Sequence, residues 1–172
     1  MRLVFSVRSV SRGPVTALLV WFSFVAVPPI PDPCKLVSRV EAQGFLSEAI
    51  ADTVREEPEP DEDSGGVITT CGYLAKTVHF YVTVVEFKSP AEAAGKVTIQ
   101  FFKARKAAPT VEPEPGLGDR ALFGYSAEAV MMVVLKGPRA YAIGLVGAIA
   151  KGDAVRHRAA FHKLLAAVAA KG

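Results

Sequence analysis

The stretch Gly66–Phe87, GVITTCGYLAKTVHFYVTVVEF, constrains the fold of this chain more than any other. Within it Val78, Phe80, Val82 and Val84 alternate with Thr77, His79, Tyr81 and Thr83, the period-two pattern of a strand with one buried face. Val85 and Phe87 extend the run. Upstream, Val67–Leu74 is rich in β-branched residues and predicts a partner strand. That strand carries Cys71, one of only two cysteines in 172 residues; the other is Cys34. A chain of this length suits one domain and a leader, since domains commonly hold about 100–150 residues.

Residues 1–33 have the form of a secretory signal: Arg2, Arg8 and Arg12, then the apolar run Val15–Val27, then the proline-rich exit PPIPDP. The apolar run is short of the roughly 20 residues that span a bilayer, which favours a cleaved signal peptide over the alternative, an uncleaved membrane anchor. Membrane contact is expected only in that second case. The cleavage signal is poor, because Phe24-Val25-Ala26 places a bulky residue where a small one is preferred. Pro31-Asp32-Pro33 before Cys34 argues against lipidation of that cysteine. The expected compartment is therefore the periplasm, cell envelope or exterior, where two cysteines most simply form a disulfide. A Cys34–Cys71 bridge would contribute about 3–4 kcal/mol by loop-closure entropy. With no Cys-x-x-Cys and no clustered histidines, a redox or metal pair is disfavoured.

Residues 34–172 read as a single α+β domain. Ser38 and Glu41 form a capping box, predicting a helix from about Arg39 that carries Val40, Ala42, Phe45, Leu46, Ala49 and Ile50 and either ends or loosens near Gly44, which leaves its far boundary open. REEPEPDEDSGG, residues 55–66, reads as an acidic loop, without the alternating ligand register of a calcium site. Ser89-Pro90-Ala91-Glu92 predicts a second helix, running through Ala94, Val97 and Phe101 to about Lys106, with strand as the alternative for the β-branched triplet Val97-Thr98-Ile99. Residues 107–118 read as a second proline-rich loop. Three strands follow, Asp119–Tyr125, Ala129–Leu135 and Ala140–Val146, with the last two joined through Lys136-Gly137-Pro138-Arg139. The run VMMVVL is apolar on both faces and predicts a central strand. A final helix, capped by Asp153, presents His157, Phe161, Leu164, Leu165 and Val168 on one face. The expected order is α-β-β-α-β-β-β-α, an antiparallel or mixed sheet of about five strands with helices mainly on one face.

The combination of Asp32-Pro33-Cys34-Lys35-Leu36-Val37-Ser38 with Glu41, of Cys71-Gly72-Tyr73, and of Gly116-Leu117-Gly118-Asp119-Arg120-Ala121 resembles small envelope domains of unknown function. These are found in bacterial secreted proteins and lipoproteins, especially of actinobacteria. The resemblance runs from about Asp32 to the C-terminus. It implies that Cys34 and Cys71 pair and that Gly116–Asp119 turns the chain into the second half of the sheet. Many relatives carry a lipid-attachment cysteine, which this chain lacks, so lipid tethering does not carry over. No catalytic residue is implied.

Function is less constrained. A net charge of +3 with 22% charged residues offers no basic groove or helix face, so no nucleic-acid partner is expected. Ser47, Ser64 and Ser126 lack a Gly-x-Ser-x-Gly setting, Gly116-x-Gly118 does not form a dinucleotide fingerprint, and His157 and His162 are five apart, off one helical face. No cofactor or metal is expected. Met131 and Met132 are candidate ligand contacts, because methionine adapts to irregular apolar surfaces, although core packing also accounts for them. Asp119 and His79 are the remaining polar candidates, against a turn aspartate and a solvated strand histidine. The reading is a non-catalytic module binding an envelope protein, peptide, lipid or cell-wall component; the alternatives are a carrier of a hydrophobic ligand and, less supported, a hydrolase.

Overall fold

A computed structural model describes residues 29–105, 107, 110–147 and 151–171; the apolar leader, Lys106 and Gly172 lie outside them. The elements are α1 (Pro33–Leu36), α2 (Arg39–Gln43), β1 (Asp52–Pro60), β2 (Val67–Leu74), β3 (Val78–Glu86), α3 (Pro90–Lys96) and α4 (Ile99–Ala104), then β4 (Thr110–Pro113), β5 (Arg120–Tyr125), β6 (Ala129–Lys136), β7 (Arg139–Gly147) and α5 (Lys151–Lys171). The strands form one antiparallel sheet in the order β1-β2-β3-β7-β6-β5-β4.

The sheet has seven strands where the sequence predicts about five. The additional two, β1 and β4, lie in the two proline-rich segments read as loops, and both are edges. An edge strand needs only one hydrogen-bonding side, so it accommodates charge and proline that a central strand excludes. Pro58 and Pro60 fall in β1, together with a register shift between Glu56 and Glu59.

Alternation sorts the sheet into two buried faces. Cys71, Tyr73, Phe80, Val82, Phe123, Met132, Tyr141, Ile143 and Leu145 pack with Leu36, Ala42, Phe161, Leu165 and Val168, so α1, α2 and α5 cover one face. Val85, Leu122, Met131, Val133 and Ala142 pack with Ala93, Val97, Phe101 and Phe102, so α3 and α4 cover part of the other. Helices therefore lie on both faces rather than mainly one. The two-sided apolar character of β6 requires it, since either face left open would expose a continuous run of Val, Met and Leu.

α2 does end at Gln43, with Gly44 as its C-cap, where the glycine is expected to end or loosen it; beyond it the Gln43 side chain donates to the Leu46 and Glu48 carbonyls and accepts from the Ile50 amide, organising a turn. Other helix boundaries differ. The helix expected from Pro90 to Lys106 is two helices. Thr98, within the β-branched Val-Thr-Ile triplet, leaves the helical conformation and its hydroxyl accepts from the Gln100 amide, capping α4. Asp153 lies inside α5, not before it. The extra short helix α1 begins where the Asp32 carboxylate accepts from the Cys34 amide.

Cys34 and Cys71 are bonded, with Cα atoms 5.1 Å apart, across 37 residues. The bridge fixes α1 to β2. Two hydrogen bonds reinforce it: the Tyr73 hydroxyl donates to the Val37 carbonyl, and Lys171 Nζ donates to the Leu36 carbonyl at 3.1 Å. Among the described residues no helix is long and apolar enough to cross a membrane.

Candidate functional site

The site begins with an alternation of size along β7. Tyr141, Ile143 and Leu145 fill the α5 core, whereas Ala140, Ala142 and Gly144 face the opposite side and leave little there. α3 and α4 cover only part of that side, packing on β5 and β6 and on the Val85 and Ala140 end of β3 and β7. α4 approaches closely because Gly124 has no Cβ; one placed there would meet the Phe102 ring at 2.3 Å and the Ala107 carbonyl at 2.7 Å. Beside α4 a half-open trough of about 200 Å³ remains, its floor residues Ala129, Met131 and Ala142 themselves largely buried.

Its floor is Ala129, Met131, Ala142, Gly144 and Val146, with Ile68 from β2 at the side. Its polar wall is Thr70, Thr83 and Tyr81. The two threonine hydroxyls lie 3.3 Å apart. Tyr81 leans over Gly72, where a Cβ would sit 3.0 Å from the tyrosine ring. Burial raises the Tyr81 pKa, and the charge of Glu56 on β1 raises it further, so the hydroxyl stays protonated and able to donate across the physiological range. At one end Arg105, which ends α4, donates to Asp61 at 2.8 Å and stacks 3.8 Å over the Phe101 ring. Burial pushes the Asp61 carboxyl up, but hydrogen bonds from Ser64 and Arg105 outweigh it and keep it below the ordinary value. This ion pair ties α4 to the β1–β2 turn.

The sequence candidates separate on this frame. Met131 lines the trough, whereas Met132 points the other way into the α5 core, as adjacent strand residues must. His79 lies two residues from Tyr81 on the same face, with ring centroids 6.3 Å apart, and its Nδ1 is buried without a hydrogen-bond partner. Asp119 is exposed and accepts from the Gly137 amide at 2.7 Å, clasping the β6–β7 turn. It does not meet His79. His79 pairs with Val146 near the far end of β7, and seven residues of strand separate that position from the Arg139 end, roughly 23 Å. A shared catalytic centre is not assembled.

Sequence reasoning missed a second polar cluster. Arg158 of α5 donates to Glu114 at 2.6 Å, to Glu112 at 2.5 Å and to the Pro113 carbonyl at 3.1 Å, and His162 Nδ1 lies 2.7 Å from Glu114. Burial raises the Glu114 carboxyl, but hydrogen bonds from His162 and Arg158 hold it below its ordinary value. The hydrogen bond to Glu114 leads the upward shift of Arg158. With its guanidinium occupied by three acceptors, Arg158 is a clamp between α5 and the β4 edge. The spacing i, i+4 of Arg158 and His162 was readable, but their carboxylate partner is 44 residues away in a segment that read as loop.

The described residues contain no group of three or more His, Cys, Asp or Glu able to hold a metal. No family model and no curated protein sequence matches the chain.

Proposed function

We propose that this chain is an exported, non-catalytic binding module that holds an apolar group of an envelope partner in the trough beside Met131. The observation that carries this reading is the half-open trough beside α4, apolar in its floor and polar along one wall. An apolar concavity with a few convergent hydrogen-bonding groups is the usual form of a recognition site. Its size separates the two binding readings. At about 200 Å³ the trough falls below the roughly 300–1,000 Å³ of small-molecule pockets. It suits one or two partner side chains or a short acyl segment, which supports a recognition module over a carrier that engulfs its ligand. Export is supported by the bridged cysteines, by the basic and apolar leader, and by the resemblance to envelope domains.

The test is Nile red titration of the oxidised protein, alongside the variants Ala142→Phe and Thr83→Phe, which fill the trough from two strands. Enhanced dye emission with the parent, reduced at least tenfold in both variants while the unfolding midpoint holds, is the expected result. Equal dye binding by parent and filled variants would remove the trough as the site. The mass of protein recovered from the envelope fraction of its own cells checks export: a chain shortened at the leader and gaining two hydrogens on reduction is expected.

A further inference from the structure

Resting on the reading of the chain as a binding module, we infer that its partner is an extended cationic peptide segment that adds as an eighth strand to β1. The two edges of the sheet are not equivalent. β4 has four residues, includes Pro113, and has that residue's carbonyl occupied by Arg158 at 3.1 Å. β1 has nine residues, all exposed, and pairs only with β2. A long open edge is a template for strand addition, with backbone hydrogen bonds supplying affinity and alternate side chains supplying specificity. Pro58 and Pro60 remove donors from the distal half, which limits docking to Asp52–Glu57.

Charge selects the occupant. The register pairs Val54 with Gly72 and Glu56 with Thr70, so Asp52, Val54 and Glu56 share the trough face of β1, an acid–apolar–acid row continuous with Tyr81. The sole basic residue of the strand, Arg55, lies on the opposite face, where it pairs with Asp32 at 3.7 Å and Glu57 at 3.6 Å. Among the described residues Asp52 and Glu56 have no ion-pair partner. The complement is a strand with basic, apolar and basic residues at alternate positions. A second copy of this chain does not fit: antiparallel β1–β1 pairing centred on Val54 sets Asp52 against Glu56 twice, and like charges directly opposed repel.

The experiment uses the oxidised full chain at low salt and the labelled peptide Thr-Lys-Thr-Val-Thr-Lys-Thr. Controls are the same peptide with both lysines replaced by glutamate, and one of identical composition with the lysines adjacent. Anisotropy should show the alternating lysine peptide binding at least tenfold more tightly than either control. The double variant Asp52→Lys, Glu56→Lys should reverse the preference between the lysine and glutamate peptides. Bound peptide should slow hydrogen exchange of the Asp52–Glu57 amides. Equal binding of all three peptides, an unreversed preference, or protection confined to β3 and β7 would overturn strand addition. So would β1 protection with dimerisation in the absence of peptide, which would make a second copy the occupant. Nile red binding measured on the same samples separates the two readings: retained dye binding with no peptide binding refutes strand addition alone, whereas loss of both refutes the binding module.

Discussion

At Gly124 the absence of one carbon governs how near α4 can lie to β5. A Cβ there would overlap the Phe102 ring and the Ala107 carbonyl, and neither can retreat without lifting α4 from the sheet. Gly124→Ala is therefore expected to destabilise the fold by about 1–3 kcal/mol, the scale of overpacking a filled site, as measured by urea denaturation. Glu114 makes a pH-dependent contribution. Its carboxyl sits below the ordinary value of 4.5 in the folded chain, so the stabilisation is complete above that value and is lost as pH falls through the lower folded value. Glu114→Gln should lower stability at neutral pH by about 1 kcal/mol, the range of partly exposed ion pairs. The parent and variant curves should converge in strong acid. A constant difference at all pH values would mean that packing, not charge, is what Glu114 supplies.

Among the elements, α1 depends most on a covalent link, being only four residues long. Such a helix is too short to be stable alone. The double variant Cys34→Ser, Cys71→Ser should lose about 3–4 kcal/mol through the freed unfolded chain, read as a lower midpoint in chemical denaturation. The Tyr73–Val37 and Lys171–Leu36 hydrogen bonds remain to hold α1 near β2 in the folded state. Elements differed in how readable they were for a physical reason. β2, β3, β6 and β7 lie inside the sheet, where burial writes β-branched and apolar runs into the sequence. β1 and β4 are edges, and Pro58, Pro60 and Pro113 gave them the composition of loops. The trough was partly readable. Ala140, Ala142 and Gly144 alternate with Tyr141, Ile143 and Leu145, small against large, which marks one side of β7 as shallow. Treating Met131 and Met132 as one site overlooked the same parity. Arg105 with Asp61, and Arg158 with Glu114, could not be paired from sequence, because each contact joins segments 44 residues apart.

For the whole molecule, one sheet is the shared wall of two cores. Phe161 lies in the core between the sheet and α5, and Phe102 in the core beneath α3 and α4; both are fully buried. Neither core can persist without the strands, and the strands have apolar side chains on both faces, so loss of either helical layer exposes the sheet that supports the other. This predicts a single cooperative transition. Phe161→Ala and Phe102→Ala should each cost about 3–5 kcal/mol, the range for removing a buried aromatic ring. The sheet separates the two sites, so their effects should add to within about 0.5 kcal/mol in the double variant. Circular dichroism and tyrosine fluorescence should report the same midpoint in each protein. A second, earlier transition confined to Phe161→Ala would show α5 detaching as an independent unit. The Arg158 clamp onto β4 would then be too weak to couple that helix to the sheet.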